Sequence, residues 1–199
     1  MFENYSAVIF DMDGTLVDSG PLHELAWSET LRHFRIPVDR ALMRSLMGVP
    51  TVQTLVFLCK HFALAPAASA GEMAAFKERL VSKNAAQYIK PTPLFEKISA
   101  KLGPRPLAVG TGATTEEAER ILELCNLREK MHCVVGADQV RHPKPAPDTF
   151  LRCAELLAVS PVECLVMEDS PLGLEAAANA GMVGVDVWKA FSVANNYFS

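Results

Sequence analysis

Two pairs of carboxylates each follow directly on a short apolar run. Asp11 and Asp13 follow Ala7–Phe10, and Glu168 and Asp169 follow a second run of the same kind. Clustered carboxylates repel one another unless a cation or protons intervene. A hard cation such as Mg²⁺ takes oxygen ligands and keeps several waters, so two or three carboxylates suffice to hold it. The two pairs therefore predict a metal site.

Two further apolar runs also end in residues that could do chemistry. Thr111 begins a Thr-Gly-Ala sequence after residues 106–109, and Lys144 lies in a proline-rich loop after Cys133–Val135. Each of these polar residues has an ordinary structural interpretation on its own, as a turn, a helix cap or a solvated loop residue. Ligands of open α/β sheets bind outside the carboxyl ends of the strands, however, and a shared active site explains why all of them would meet at that edge.

The chemistry that fits this set is metal-assisted phosphoryl transfer. An aspartate can attack as the nucleophile and form an aspartyl-phosphate. A second carboxylate nearby can protonate the leaving alcohol and later deprotonate the attacking water. A lysine, a hydroxyl and backbone N–H groups can hold the phosphoryl oxygens as charge redistributes.

The elements that must position these residues alternate along the chain. Continuous apolar runs, typical of strands covered on both faces, recur five times. These runs are Ala7–Phe10, 106–109, Cys133–Val135, 164–167 and 183–187. Helical patterns lie between them: one begins at the capping-box sequence Thr114-x-x-Glu117, one begins near Asp148, and one over 172–180 ends at Gly181. The alternation predicts an α/β fold with a Rossmann-like, doubly wound parallel sheet.

One long region departs from this alternation. Residues 20–90 show helical periodicity and no run typical of a strand, and residues 71–89 alone are expected to form one long helix or two. We therefore expect a small all-helical cap, residues 19–90, inserted after the first strand. The α/β core is then discontinuous and consists of residues 1–18 and 91–199.

Composition excludes several classes of function. The 199 residues carry a formal net charge of −4 and no basic stripe, so no nucleic-acid partner is expected. The five cysteines are odd in number and contain no C-x-x-C, which favours reduced core thiols. No apolar run approaches the roughly 20 residues that a membrane span needs. We expect a cytoplasmic protein without a membrane partner, and a monomer.

The chain resembles a known superfamily at four motifs. In order, these are Asp11-x-Asp13-Gly14-Thr15, Thr111, Lys144 in Lys-Pro-x-Pro, and Glu168-Asp169. They resemble the four motifs of the haloacid dehalogenase superfamily, and the helical insertion resembles its small cap. The subgroup most similar in sequence is that of the β-phosphoglucomutase-like phosphatases. Within it, residues 108–112 and 142–150 resemble bacterial fructose-1-phosphate phosphatases.

The resemblance implies a role for each acidic residue. Asp11 would be the nucleophile and a metal ligand. Asp13 would be the general acid/base, with its backbone carbonyl also on the metal. Asp169 would be a metal ligand, and Glu168 would lie on the metal directly or support its ligands. The implied cofactor is Mg²⁺.

The resemblance also implies how a small phosphorylated substrate is held. Thr111, with the amides of Gly112 and Ala113 and the ammonium of Lys144, would bind the phosphoryl group. In the cap, His23 stands where this subgroup often has residues on the substrate side or at the cap hinge. Lys77 could reach the substrate, although lysines on helix surfaces are usually just solvated.

One departure from the subgroup separates two reactions. Mutase members place an arginine two or three residues after the cap glycine, where it grips a second phosphate, but here Gly48 is followed by Val49-Pro50-Thr51. We therefore predict an Mg²⁺-dependent phosphatase of sugar phosphates, with fructose 1-phosphate as the preferred substrate. The alternatives are a phosphosugar mutase and, in another class, a non-catalytic module that binds sugar phosphates. Dehalogenation is disfavoured, because that chemistry needs neither Asp13 nor a metal cluster.

Overall fold

The chain forms two compact units. The computed structural model describes residues 2–65, 68–193 and 197–198. The first unit contains Met1–Asp18 and Lys90–Asn195, and the second contains Ser19–Ile89 and Asn196–Ser199. The second unit thus includes Tyr197 and Phe198, which the sequence prediction kept with the core.

A parallel sheet forms the centre of the first unit. The strands are β1 (Ala7–Phe10), β2 (Val17–Asp18), β3 (Lys90–Pro91), β4 (Leu107–Gly110), β5 (Cys133–Val135), β6 (Cys164–Glu168) and β7 (Val183–Asp186). Five of them form one sheet in the order β5-β4-β1-β6-β7, and every neighbouring pair is parallel. β1, β4 and β6 are buried along their whole length, as their continuous apolar sequences predict. The prediction of a doubly wound parallel sheet is confirmed.

Helices occupy the connections between the strands. They are α1 (Gly20–His33), α2 (Arg40–Ser45), α3 (Thr51–His61), α4 (Ala70–Tyr88), α5 (Leu94–Leu102), α6 (Thr115–Leu124), α7 (Asp148–Leu157), α8 (Pro171–Asn179) and α9 (Val187–Phe191). Thr114 caps α6, because its hydroxyl accepts a hydrogen bond from the Glu117 amide at 3.3 Å. Beyond α8, Gly181 has a positive φ of 71°, a conformation that glycine adopts without strain.

The first unit also contains a small two-stranded ribbon that sequence analysis did not predict. β2 and β3 pair in the antiparallel sense, with Val17 opposite Pro91 and Asp18 opposite Lys90. The Thr92 amide extends the contact by donating to the Leu16 carbonyl at 2.8 Å. Strands of two residues are too short to show the alternation by which strands are recognised in a sequence.

The second unit contains helices α1 to α4, inserted between β1 and the next strand of the parallel sheet. This confirms the predicted helical cap. Residues 70–88 form the single helix α4, whose first turn is fixed by a capping box between Ser69 and Glu72. Among the described residues, no helix combines the length and apolar character needed to cross a membrane.

The core of the second unit includes a residue from far along the chain. Phe198 is fully buried among side chains that include Leu31, Met43 and Leu55. Its amide donates to Glu24 Oε2 at 2.9 Å, and the Arg40 guanidinium lies 5.5 Å from the centre of its ring. Phe198 is therefore part of the helical unit, although 174 residues separate it from Glu24.

Phe198→Ala is expected to lower the free energy of unfolding of the helical unit by about 3–5 kcal/mol, the usual cost of deleting a buried phenylalanine. Fluorescence of Trp27, which lies in the same cluster, reports this unfolding selectively once the exposed Trp188 is replaced by phenylalanine. The control is Val162→Ala, because the side chain of Val162 is 71% exposed. Equal unfolding midpoints for the two variants would contradict the assignment of Phe198 to the core.

Candidate active site

Asp11 lies at the carboxyl end of the central strand. β1 pairs with β4 on one side and β6 on the other, and the Asp11 amide continues the ladder by donating to the Met167 carbonyl at 2.9 Å. The chain then turns sharply at Gly14, which has a φ of 83° and donates to the Val17 carbonyl at 2.7 Å. A residue with a side chain would be strained at that φ, so the glycine after Asp13 is a requirement of the turn.

Lys144 joins two of the predicted acidic residues. Its Nζ donates to Asp11 Oδ1 at 2.6 Å, to Glu168 Oε1 at 2.8 Å and to the Gly110 carbonyl at 3.1 Å. The Phe150 ring lies beneath it, 4.6 Å from Nζ to the ring centre. The side chain of Lys144 is 12% exposed and that of Glu168 is 1% exposed, so these ion pairs are shielded from water. Residues from four separate parts of the sequence thus meet at one edge of the sheet.

The charges of this cluster do not cancel. Burial raises the pKa of Asp11 well above its usual value, Lys144 opposes that rise, and the carboxylates of Glu168 and Asp169 add to it. Burial by itself lowers the pKa of Lys144, but the carboxylates of Asp11 and Glu168 more than offset this and raise it. Within the described part of the chain, the Lys144 ammonium pairs with two of these three carboxyl groups, and a further cation there would reduce their mutual repulsion.

Three carboxylates are close enough to share a metal ion. Oxygens of Asp11, Glu168 and Asp169 all lie within 4.8 Å of one another. An all-oxygen donor set of this size suits a hard divalent cation such as Mg²⁺, which binds through one or two carboxylates together with waters and substrate phosphate. The residues present thus fit the predicted metal. Coordination by Asp13 through its backbone carbonyl stays a prediction.

Glu168 is held by groups that sequence analysis did not single out. Its Oε2 accepts hydrogen bonds from the Ser170 amide at 2.7 Å and the Ser170 hydroxyl at 2.9 Å. Gly173, in the first turn of α8, lies against the same carboxylate: a Cβ at this position would be 1.7 Å from Glu168 Oε1. Only a glycine leaves room for Glu168 to reach Lys144.

Gly173→Ala is expected to push the Glu168 carboxylate away from Lys144 and to cost about 1–3 kcal/mol of stability. Metal affinity should fall as well, because one carboxylate leaves the cluster. The measurements are the unfolding midpoint and the Mg²⁺ concentration that gives half-maximal binding of the metal. Gly71→Ala, in the first turn of α4, is the control, since a Cβ there would lie no closer than 4.0 Å to a heavy atom, the Ser69 Oγ. A crystal structure of Gly173→Ala with Glu168 still in place would contradict the argument.

The predicted phosphoryl-binding residues form the loop between β4 and α6. The side chain of Thr111 is buried, and its amide donates to the Val135 carbonyl at 3.0 Å. The Ala113 amide donates to Thr111 Oγ1 at 3.2 Å, a long hydrogen bond within the loop. Thr111 follows Gly110, whose carbonyl accepts from Lys144, so loop and lysine are adjacent.

The loop that carries Lys144 is fastened at both ends. Asp148 Oδ2 accepts from the His142 amide at 3.2 Å and lies 3.0 Å from His142 Nδ1. Asn179, the last residue of α8, donates from Nδ2 to the Pro145 carbonyl at 2.9 Å. The sequence held no signal for Asn179, because its partner lies 34 residues away.

His23 and Lys77 belong to the second unit. His23 is half-buried on α1. Lys77, on α4, is buried rather than solvated: its Nζ lies 3.4 Å from Thr51 Oγ1, 3.3 Å from Glu78 Oε1 and 5.4 Å from the centre of the Trp27 ring. Their predicted contacts with substrate stay predictions.

These features define a class of protein. The sequence model of the haloacid dehalogenase-like hydrolases matches residues 5–181, and the chain belongs to this family. The family predicted from the four motifs is thereby confirmed.

The chain is also similar to individual proteins and to a solved structure. Fructose-1-phosphate phosphatase YqaB of Escherichia coli is 41% identical over 189 residues, which are 94% of this chain and 98% of that protein. β-Phosphoglucomutase of Bacillus subtilis is 29% identical over 190 residues, or 91% of this chain and 82% of that protein. The crystal structure of CbbY from Rhodobacter sphaeroides in complex with phosphate is similar with a TM-score of 0.79 and 26% identity, covering 90% of this chain and 84% of that one.

Proposed function

We propose that this protein is an Mg²⁺-dependent phosphatase of small sugar phosphates, with fructose 1-phosphate as the preferred substrate. The observation that carries the proposal is the buried cluster in which Lys144 contacts Asp11 and Glu168, two of the three carboxylates whose oxygens lie within 4.8 Å of one another. The choice of substrate is supported by the 41% identity to the fructose-1-phosphate phosphatase of Escherichia coli.

The reaction would proceed in two displacements at phosphorus. In the first, a carboxylate oxygen of Asp11 forms a bond to phosphorus while the bond to the sugar oxygen breaks, and Asp13 gives its proton to that oxygen. In the second, Asp13 takes a proton from water, the water oxygen attacks phosphorus, and the bond to Asp11 breaks. The products are the free sugar and inorganic phosphate, and Asp11 and Asp13 return to their starting states.

The remaining residues of the site would bind the phosphoryl group and the metal. Lys144, Thr111 and the amides of Gly112 and Ala113 would bind the phosphoryl oxygens, since an anionic oxygen is a stronger acceptor than the Thr111 hydroxyl for the Ala113 amide. Asp11, Glu168 and Asp169 would hold the metal. When bound, Mg²⁺ supplies positive charge that stabilises the phosphoryl oxygens and offsets the carboxylates.

Asp13→Asn is expected to slow turnover by about 10²–10⁴-fold, the usual contribution of a general acid/base. Because Asp11 is intact, esters with good leaving groups, such as aryl phosphates, should lose less in the first step than sugar phosphates. Rapid-quench trapping of labelled phospho-enzyme measures this, with Asp18→Asn as the matched control in the neighbouring strand. Equal losses for sugar and aryl esters would remove Asp13 from the role of acid.

The helical unit would select the substrate. A buried lysine, Lys77, with the hydroxyl of Thr51 beside it, offers a cation and a polar group for a phosphorylated sugar, and His23 offers a further polar side chain. The absence of an arginine after Gly48 favours hydrolysis over a mutase reaction, which must grip a bisphosphate at both ends. We further propose a monomer, which sedimentation velocity would test.

The test is phosphate release from fructose 1-phosphate, glucose 6-phosphate and β-glucose 1-phosphate, each with Mg²⁺ and with EDTA. Mg²⁺-dependent release, fastest with fructose 1-phosphate, is the expected result. Conversion of β-glucose 1-phosphate to glucose 6-phosphate without phosphate release would establish the mutase instead. Binding of these esters without turnover would establish the non-catalytic module.

A further inference from the structure

The first turn of α6 is bound by a carboxylate from another loop. Asp138, in the connection that follows β5, accepts two hydrogen bonds at Oδ1, from the Thr115 amide at 2.7 Å and from the Thr115 hydroxyl at 2.9 Å. These hydrogen bonds lower the pKa of Asp138 from its usual value, the backbone amide contributing most. Asp138 is therefore ionised at neutral pH, and its negative charge lies at the positive end of the α6 dipole.

The residues on either side of Asp138 hold the same short stretch, residues 113–115, where the loop after β4 leads into α6. The Ala137 amide donates to the Ala113 carbonyl at 2.8 Å. Gln139 Nε2 donates to Thr115 Oγ1 at 2.8 Å and to the Val134 carbonyl at 3.2 Å. The Thr115 hydroxyl thus donates a hydrogen bond to Asp138 and accepts one from Gln139, and the two bonds together fix the orientation of the hydroxyl.

Gly136 makes this close approach possible. A Cβ on Gly136 would lie 2.3 Å from the Thr115 nitrogen and 2.6 Å from Asp138 Oδ1, distances that no real contact shows. The backbone of residues 136–139 is therefore packed directly against the start of α6, and movement of one segment requires movement of the other.

The anchored stretch is the end of the loop proposed to bind phosphate. At the start of this loop, the Thr111 amide donates to the Val135 carbonyl. At its end, the Ala113 carbonyl accepts from the Ala137 amide, and the Thr115 amide donates to Asp138. Between these points lie the hydroxyl of Thr111 and the amides of Gly112 and Ala113. Asp138 itself is exposed and lies outside the group of carboxylates that could share a metal among the described residues. Its two hydrogen bonds with Thr115 instead connect it to the end of the loop.

We propose that Asp138 is a positioning residue that sets the geometry of the phosphoryl-binding loop 111–113 by holding the backbone and hydroxyl of Thr115. The inference rests on the proposed function, because it assigns that loop to phosphate. Amides that are placed before the anion arrives bind it without first having to be ordered, and a displacement of about 1 Å in such a site can cost about 100-fold in rate.

The first experiment compares Asp138→Ala with Asp138→Asn. We expect Asp138→Ala to raise the KM for the ester, and the inhibition constant of inorganic phosphate, by about 10-fold, because the amides of the released loop would have to be ordered each time the anion binds. The asparagine keeps an acceptor oxygen for the Thr115 amide and should recover most of the affinity. The Mg²⁺ concentration for half-maximal activity should stay unchanged in both, since the carboxylate cluster is untouched.

A second comparison separates positioning from mere loss of stability. Asp39→Ala removes a carboxylate that caps α2 in the other unit, where Asp39 Oδ1 accepts from the Leu42 amide at 3.0 Å. It should lower the unfolding midpoint without changing the inhibition constant of phosphate. Thr115→Val, which keeps the amide but loses the hydroxyl, should show a smaller rise, and its effect should not add to that of Asp138→Ala.

Amide hydrogen exchange and calorimetry of phosphate binding test the role of Asp138 independently of whether the protein hydrolyses phosphate esters. Amide exchange over residues 111–115 should accelerate in Asp138→Ala. An unchanged phosphate affinity in that variant, with the wild-type chain active, overturns the inference and leaves the proposed function standing. A wild-type chain that binds phosphate but hydrolyses no ester loses the proposed function, while weaker phosphate binding by Asp138→Ala still supports the inference. A wild-type chain that neither binds phosphate nor hydrolyses an ester overturns both.

Discussion

Asp11→Asn is expected to reduce turnover of every phosphate ester by about four to six orders of magnitude, as removal of a nucleophile does in other enzymes. Asparagine has nearly the same shape as aspartate, and its carbonyl oxygen can still accept the hydrogen bond from Lys144. Loss of activity would therefore reflect loss of the attacking oxygen rather than collapse of the site. The measurement is single-turnover phosphate release in the presence of Mg²⁺.

The control for Asp11→Asn is the unfolding midpoint of the same preparation, which should be equal to or higher than that of the wild type. Removing one of several clustered negative charges relieves repulsion with Glu168 and Asp169, both of which raise the pKa of Asp11. Phospho-enzyme trapped by acid quench should be present in the wild type and missing in the variant. Turnover within tenfold of the wild type would rule out a covalent intermediate on Asp11.

Lys144→Met is the second substitution with a large expected effect, and it acts on stability as well as activity. It removes the ammonium that pairs with Asp11 and Glu168 but keeps a side chain of similar length over the Phe150 ring. Breaking a buried ion pair on one side costs about 3–5 kcal/mol, because the remaining charges lose their partner. Turnover should fall by about 10²–10³-fold, the usual cost of losing one group that stabilises developing charge.

The stability of Lys144→Met should depend on pH in a defined direction. The pKa of Asp11 is already raised in the folded protein, and Lys144 opposes that rise, so its loss raises the pKa further. The folded variant then binds protons more tightly than the unfolded chain, and its stability falls as the pH rises above the usual range of an aspartate. In EDTA, the variant should be less destabilised at pH 5 than at pH 8.

Lys97→Met is the matched control for this effect. Lys97 lies in the same unit and also donates to a carbonyl, that of Phe191 at 2.9 Å, but its side chain is exposed. Its replacement should change stability by less than about 0.5 kcal/mol at either pH. A similarly small loss for Lys144→Met would show that the buried pairs contribute little.

The position of the acidic cluster could be predicted because it depends on strand ends. Continuous apolar runs identify buried strands, and in a parallel sheet their carboxyl ends share one edge. Asp11 and Glu168 were therefore expected at the same edge once both runs were read as strands, and the pairing of β1 with β6 brings them close together. The same rule places the loop of Lys144 at that edge, but the sequence predicted contacts of Lys144 with phosphoryl oxygens and not its ion pairs with Asp11 and Glu168.

Other parts of the site could not be predicted, because their cause is a contact with residues distant in the sequence. Gly173 is required by the carboxylate of Glu168, which no local pattern reveals. Asp138 is a surface aspartate in the sequence, and its role becomes visible only when α6 packs against the loop after β5. Phe198 follows a segment without helical or strand periodicity, so nothing in the sequence indicates that it is buried.

The burial of Phe198 in the helical unit has a consequence for synthesis on the ribosome. Helices α1 to α4 are made early, yet a core side chain of theirs is made after every strand of the sheet. β1 is likewise made first but needs β4 and β6, which come much later, on its two sides. Neither unit can complete its core before these later segments have been made, so nascent chains are expected to expose apolar side chains such as Met43 and Leu55 until Phe198 has left the ribosome, and to need chaperones over that interval.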